Sequence, residues 1–220
     1  MTRHILLVDD HPSTRKGLAL TLSDEPDLAV VAAVGSAEEA LEALSDPDAD
    51  LEVDLVVTDL SLPGMSGIEL VKHVHALRPD MPVLVVSRHD EGVYAERALR
   101  AGARGYVSKL EADSVLVGAV RLVLAGGVHV SPDVQARLLG RSVGRMGDPT
   151  AGPTAVLSDR ELEVFEATGR GAATREIAER MHLSVKTVES YRARIKEKLG
   201  LGSAAELMQH AVRWVEDERP

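Results

Sequence analysis

Three carboxylates, a hydroxyl and an ammonium stand in this 220-residue chain at spacings that can do chemistry together: Asp9 and Asp10, Asp59, Ser87 and Lys109. Each closes or closely follows a short apolar run, respectively Ile5–Val8, Leu55–Thr58, Val83–Val86 and Gly105–Val107. If these runs are parallel strands with the first and third adjacent, Asp9, Asp10 and Asp59 meet at one edge of a sheet. Like charges that close are costly. They are relieved by protonation or, better, by a hard divalent cation with oxygen ligands, typically magnesium (Mg2+), which keeps several waters and draws its remaining ligands from a phosphate. A hydroxyl donor at Ser87 and a compact cation at Lys109 suit phosphoryl oxygens. An Asp-Asp pair after a strand is by itself more often a turn or a helix cap. The chemistry rests on all five positions at successive strand ends, with Pro63 and Gly67 shaping the turn after Asp59.

The elements that must position these groups are legible as periodicity. Ile5–Val8, Ala29–Val34, Leu55–Thr58, Val83–Val86 and Gly105–Val107 read as strands, and helical patterns fill the gaps at about Ser13–Leu22, Ala37–Leu44, Gly67–Leu77, Val93–Ala101 and Asp113–Ala125. Near-continuously apolar strands alternating with helices predict an α/β fold, a five-stranded doubly wound parallel sheet covered on both faces. Ligands gather outside the carboxyl ends of such strands, where strand order reverses. The Asp-rich stretch Ser45–Val53 reads as a solvated loop. This first domain is assigned to residues 1–125.

Residues 126–154 read as a flexible linker. Pro132–Leu139 can accommodate a short helix, but Gly140–Pro153 carries four Gly and two Pro with little apolar content. From 155 to 220 the pattern is helical, and Ser158 with Glu161 makes a capping box at the start of the first helix. About sixty residues suffice for a small all-α module.

Composition bounds the function classes. Hydrophobic residues make up 45% of the chain and charged ones 27%, enough to bury a core, while 2% aromatics leave no rows of rings for stacking on single-stranded nucleic acid. Cysteine is absent, which removes disulfides, thiol catalysis and cysteine-held metal and fits a cytoplasmic protein. The opening apolar stretch runs straight into two aspartates, unlike a signal peptide, and no run reaches the ~18 apolar residues of a membrane span, so no membrane partner is expected. The net charge of -10 looks wrong for a protein that meets nucleic acid until it is divided. Residues 1–125 hold 21 Asp and Glu against 11 Lys and Arg; residues 155–220 hold 12 against 11. Within the latter, Lys186, Arg192, Arg194, Lys196 and Lys198 face only Glu189 and Glu197, a basic helix in an acidic chain.

That helix has helix-turn-helix spacing. Arg175–Met181 is a short helical run, His182-Leu183 the turn, and Ser184 the N-cap of a helix reaching about Leu199. On a 100° wheel Val188, Tyr191, Ile195 and Leu199 pack inward. Lys186, Glu189, Ser190 and Ala193 then face away, and Arg192, Arg194, Lys196 and Lys198 lie on the flanks, where cations reach phosphates. The apolar stripe of Ala204–Val215 fits equally a dimer contact or the closing of this domain's own core.

The segments VDDHP, VVTDLSLPGMSG, VLVVS and ARGYVSK, in this order, resemble the flavodoxin-like receiver domain of two-component response regulators. The resemblance implies that Asp59 accepts a phosphoryl group from a sensor histidine kinase. It implies Mg2+ held by Asp10, Asp9, Asp59 and the Ser61 carbonyl, phosphoryl oxygens met by Ser87 and Lys109, and a reorienting ring at Tyr106. Ser61 and His89 fall where receivers tune the lifetime of the phosphoryl group. Leu110 departs from the proline many receivers carry after the lysine. Leu157–Glu161, Arg175–Ala178 and SVKTVESYRARIKEKLGL resemble the LuxR-type four-helix DNA-binding domain, and the whole chain resembles a NarL/FixJ-type response regulator. Carried over, Glu189, Ser190 and Ala193 face bases of double-stranded DNA, Lys186 and Thr187 lie near the backbone, and Arg192, Arg194 and Lys196 reach phosphates. Glu189 stands where lysine is common, so the operator does not transfer.

The implied function is a transcription regulator whose phosphorylation promotes a homodimer on DNA. Two other readings use the same residues. A metal-dependent phosphatase with Asp59 as nucleophile needs a general acid two residues on, which Ser61 cannot supply. A regulator indifferent to phosphate would act through protein contacts alone.

Overall fold

The computed structural model describes residues 2–45, 51–142 and 153–217. Residues 46–50 of the acidic stretch and 143–152 of the expected linker lie outside the described residues. The chain divides into two compact units, Met1–Val143 and Gly144–Pro220.

In the first unit the alternating pattern folds as β1 (Arg3–Val8), α1 (Pro12–Ser23), β2 (Leu28–Val34), α2 (Ala37–Ser45), β3 (Leu55–Thr58), α3 (Gly67–Leu77), β4 (Val83–Ser87), α4 (Glu91–Ala101), β5 (Gly105–Ser108) and α5 (Ala112–Leu124). All pairings are parallel and the strand order is β2-β1-β3-β4-β5. The order reverses at β1, where β1 pairs with β3 in the register Ile5↔Leu55 to Val8↔Thr58. That register sets Asp9 beside Asp59, one residue beyond each strand.

Period-two alternation divides the strand side chains between two buried faces. Ile5, Leu7, Leu55, Val57, Leu84, Val86 and Val107 pack against Leu18 and Leu22 of α1 and Leu116, Ala119, Val120 and Val123 of α5. Leu6, Val8, Val56, Val85 and Tyr106 are equally buried, with α2, α3 and α4 packing against strands β1, β4 and β5. α3 opens with a reciprocal capping box between Ser66 and Glu69.

Past α5 the first unit continues beyond residue 125. Gly126-Gly127 reads as a breaker, yet the chain returns to the sheet: the Tyr106 N–H donates to the His129 carbonyl at 2.8 Å and the His129 N–H to the Arg104 carbonyl at 3.0 Å. A parallel bridge, Gly105↔His129, thus meets the outer edge of β5, which among the described residues has no partner strand on that side. The Ser131 N–H donates to the Glu91 carboxylate at 2.8 Å, and α6 (Pro132–Ser142) packs on α4 with Val134 buried.

The second unit is helical: α7 (Pro153–Val156), α8 (Asp159–Gly169), α9 (Thr174–Arg180), α10 (Val185–Leu199) and α11 (Ala204–Asp217). The capping box Ser158/Glu161 forms as the sequence predicts, Ser184 caps α10, and Gly200 ends it in the left-handed conformation at φ 67°. Gly169 is where α8 and α11 close up, since a Cβ there would lie 2.3 Å from the Ala211 carbonyl oxygen.

The α6 contact has a measurable consequence. Val134→Ala removes two buried methyl groups and lowers the unfolding free energy of the first unit by about 1.5 kcal/mol, read as a lower urea midpoint. Leu139→Ala on the same helix, at a side chain 60% exposed, leaves the midpoint unchanged.

Candidate functional site

The adjacency of β1 and β3 gathers the acidic groups. One ligand atom from each of Asp9, Asp10, His11 and Asp59 lies within 4.8 Å of all the others. The Asp59 N–H is anchored on the Val8 carbonyl at 2.9 Å and the Asp9 N–H on the Val34 carbonyl at 3.1 Å, so both acids sit on extensions of the sheet ladder. Lys109 reaches in from beyond β5: its Nζ donates to Asp9 Oδ2 at 2.6 Å and to Asp59 Oδ2 at 2.5 Å, with the Lys109 side chain only 7% exposed. The other oxygens of this pair accept backbone N–H groups, Asp9 Oδ1 from His11 at 2.8 Å and Asp59 Oδ1 from Leu60 at 2.6 Å.

Burial pushes the Asp9 carboxyl above its ordinary value. The Lys109 hydrogen bond and charge oppose this, the Asp59 charge adds to it, and the His11 N–H opposes it. Three carboxylates face one ammonium here, with the His11 ring among them. The donor set of carboxylate oxygens fits a hard divalent cation.

The turn after Asp59 is held from several sides. The Gly67 N–H donates to the Leu60 carbonyl at 2.9 Å, and a Cβ on Gly67 would lie 2.0 Å from the Asp59 carbonyl oxygen, so no other residue fits. Glu38 of α2 accepts the Met65 N–H at 3.0 Å. Arg15 of α1, a residue the strand-end pattern does not single out, donates from Nη1 to the Asp9 carbonyl at 2.5 Å and so ties the first acid to the helix that follows it.

The hydroxyl side of the site lies at the end of β4. Ser87 is fully buried and its Oγ accepts the His89 N–H at 3.4 Å. Tyr106 is turned fully inward, with its hydroxyl donating to the His89 carbonyl at 2.9 Å. Burial pushes its phenol well above the ordinary value, against the opposing effect of the Ser87 hydroxyl. His89, in the loop between β4 and α4, is a junction: Nε2 lies 2.9 Å from Ser61 Oγ, and the ring packs on Tyr94 at 4.5 Å. His11 brings Nδ1 to 2.5 Å from Asp10 Oδ1. The described residues contain no cis peptide bond, so Lys109-Leu110 is trans, and Leu110 is 89% exposed.

In the second unit α10 follows α9 across a turn in which His182 takes φ 53° and the Leu183 N–H returns to the Ala178 carbonyl. Val188 and Ile195 are fully buried, while Tyr191 and Leu199 on the same face are half-buried. Lys186, Glu189, Ser190, Ala193 and Arg194 are exposed, and Thr187 and Lys196 are half-buried. Thr187 is tied to the N-cap by its hydroxyl, 2.7 Å from Ser184 Oγ.

Arg192 is not where the wheel puts it. Its guanidinium turns into the unit, donating to Thr174 Oγ1 at 2.5 Å and Thr168 Oγ1 at 3.2 Å, while Nε is buried without a partner among the described residues. Burial depresses its pKa, opposed by Glu189. The position flanks the packed face, and two threonine hydroxyls outside α10 draw the long side chain inward. Lys198, itself exposed, is paired with Glu161 of the capping box at 2.6 Å. Leu207 and Ala211 of α11 are buried and Trp214 packs on Phe165 at 5.6 Å, so that stripe closes the core, with Met208 left partly exposed.

Comparison with known proteins follows the same division. The receiver domain of response regulators matches residues 5–121, and the luxR family of bacterial regulatory proteins matches residues 155–211. The transcriptional regulatory protein UhpA of Salmonella typhimurium is 40% identical over 203 residues, 92% of this chain and 94% of that one. The oxygen regulatory protein NreC of Staphylococcus carnosus is 33% identical over 213 residues, 95% of this chain and 96% of that one. A crystal structure of a LuxR-family two-component response regulator from Aurantimonas, 36% identical, covers 65% of this chain and 99% of its own with a TM-score of 0.58.

The raised Asp9 pKa has a definite sign. The folded state holds this proton more tightly than the unfolded chain, so ionisation of Asp9 destabilises the fold. That cost is fully present above the folded pKa and vanishes as the pH falls to the ordinary 3.8. Without divalent cations, Asp9→Asn is therefore at least as stable as wild type at pH 7, and the difference closes on acidification. Urea titrations across this pH range check it, and a variant less stable at pH 7 contradicts it.

Proposed function

The chain belongs to the two-component response regulators that join a receiver domain to a LuxR-type DNA-binding domain and regulate transcription, and from that premise we propose that Asp59 is the phosphoacceptor through which a sensor histidine kinase controls this protein. The observation that carries the reading is Lys109 Nζ bonded to both Asp9 and Asp59 within an acidic cluster at the strand-order reversal. Mg2+ fits the donor set, held by Asp10, Asp59, the Ser61 carbonyl and Asp9. When bound, it offsets charge on the phosphoryl oxygens.

The chain's own residues supply the rest. Asp59 attacks phosphorus through a carboxylate oxygen, its orientation fixed by the Leu60 N–H and by Lys109. Lys109 then meets a phosphoryl oxygen, and the Ser87 hydroxyl another, as charge builds during transfer. Ser87, His89 and Tyr106 already form a hydrogen-bonded run from the site to the inner side of β5. Engagement of Ser87 by the phosphoryl group draws on that run and alters the surface formed by α4 and β5. A homodimer then presents two α10 helices to successive half-sites on double-stranded DNA. Glu189, Ser190 and Ala193 face the bases, with Lys186, Thr187, Arg194 and Lys196 toward the backbone. The setting is the cytoplasm, and turnover is confined to slow labelling and hydrolysis at Asp59.

Two measurements test this. Intact mass and chromatographic size, taken with Mg2+ and a small phosphodonor, give a gain of one phosphoryl group and a shift to dimer in wild type, and neither in Asp59→Asn. A phosphorylated species that persists in the variant removes Asp59 from the role. On DNA, Arg194→Ala weakens binding about equally for all sequences and lowers the salt slope by about one. Arg192→Ala instead lowers the melting temperature of the second unit, because it removes an internal clamp.

A further inference from the structure

A cleft of about 330 Å³ shares Lys109 with the acidic cluster and is lined besides by Thr14, Leu18 and Thr21 of α1, by Leu110, and by Arg88. Arg88 directly follows the buried Ser87, yet it is exposed, and among the described residues its guanidinium has no hydrogen-bond or ion-pair partner. The other cation of the cleft, Lys109, bonds Asp9 and Asp59 and in the proposed step goes to the phosphoryl group rather than to the leaving group. Arg15, the nearest guanidinium on α1, is spent on the Asp9 carbonyl.

Charge counting makes Arg88 decisive. Asp9, Asp10 and Asp59 face the single ammonium of Lys109, and a divalent cation would offset the excess of carboxylates. Among the described residues lining the cleft, Arg88 is then the one cation not already bonded to an acid, and it faces an incoming phosphodonor dianion. A guanidinium is a planar fork that matches a carboxylate with two parallel hydrogen bonds.

We propose that Arg88 is a specificity-determining residue that makes this site prefer small acyl phosphates, by receiving the carboxylate that leaves. The inference rests on Asp59 being the phosphoacceptor. In the step, an Asp59 oxygen forms a bond to phosphorus as the bond from phosphorus to the acyl oxygen breaks. The electron pair departs on that oxygen, giving aspartyl phosphate and a free carboxylate, and no proton moves. Arg88 stabilises the charge that appears on the leaving group.

A phosphoramidate behaves differently. There the bond from phosphorus to nitrogen breaks, and the nitrogen must take a proton from solvent to depart as ammonia. Arginine stays protonated at all working pH values and cannot give that proton. Its benefit therefore extends to a carboxylate leaving group and not to an amine.

The test uses the full chain with Mg2+ and follows labelling of Asp59 from acetyl phosphate and from phosphoramidate, in wild type, Arg88→Ala and Arg88→Lys. The alanine variant loses about tenfold in rate with acetyl phosphate and no more than about twofold with phosphoramidate, and the lysine variant falls between. Raising the salt narrows the acetyl phosphate difference. Equal losses with both donors, or none with either, overturn the assignment. Cation affinity is measured in parallel by calorimetry and stays unchanged, because Arg88 touches none of the acids. Wild type that is labelled by neither donor overturns the phosphoacceptor reading itself, a result distinct from labelling with an unaltered donor ratio.

Discussion

Mutual repulsion of the carboxylates at positions 9, 10 and 59 is the constraint around which the first unit is arranged. Nothing in their own chemistry holds them together, so the sheet must. The reversal of strand order makes β1 and β3 neighbours, and the ladder hydrogen bonds run one residue past each strand to fix Asp9 and Asp59. A single ammonium then bridges them across the length of the first unit's sequence. The close approach at Gly67 and the Arg15 bond to the Asp9 carbonyl hold the two loops so that the acids cannot relax apart. Burial of Asp9 turns the remaining charge into stored destabilisation, which is the physical reason a cation fits there.

The hydroxyl half of the site follows from a second constraint, the need to cover β5. As the edge strand, β5 offers backbone groups that the chain meets at one point with its own His129 rather than with another strand. The same strand carries Tyr106, whose backbone N–H meets His129 and whose hydroxyl meets the His89 carbonyl. A buried phenol with one partner fixed by the β4–α4 loop and a backbone fixed by the covering segment couples the strand end at Ser87 to α6. The contact between Ser131 and Glu91 runs parallel to it, from the same segment to the first turn of α4.

What the sequence makes legible divides along physical lines. Strands buried on both faces announce themselves as apolar runs, so the fold and the convergence of Asp9, Asp10, Asp59 and Lys109 could be read without coordinates. Local hydrogen-bond motifs were equally readable, as the capping box at Ser158 and the N-cap at Ser184 illustrate. The unread features are long-range pairings with no period behind them. His129 returns to β5 after a glycine pair that reads as a break; His89 meets Ser61 and Tyr106 from distant loops; Arg15 binds a carbonyl, which no residue type advertises. Arg192 fails for a related reason. A helical wheel records direction alone, and a long, flexible side chain on a flank goes where hydroxyls await it.

That inward arginine changes how the basic helix should be understood. Of its cations, Arg192 is turned into the second unit, onto Thr174 and Thr168, and Lys198 is paired at the surface with Glu161. The outward charge is correspondingly smaller than the sequence count suggests, resting on Lys186, Arg194 and the half-buried Lys196 against an exposed Glu189. Electrostatic attraction to a phosphate backbone scales with the number of contacts, so one such helix holds DNA weakly. On the proposed reading, weakness in the single unit is what lets dimerisation act as the switch, because joining two modest contacts multiplies rather than adds their binding constants.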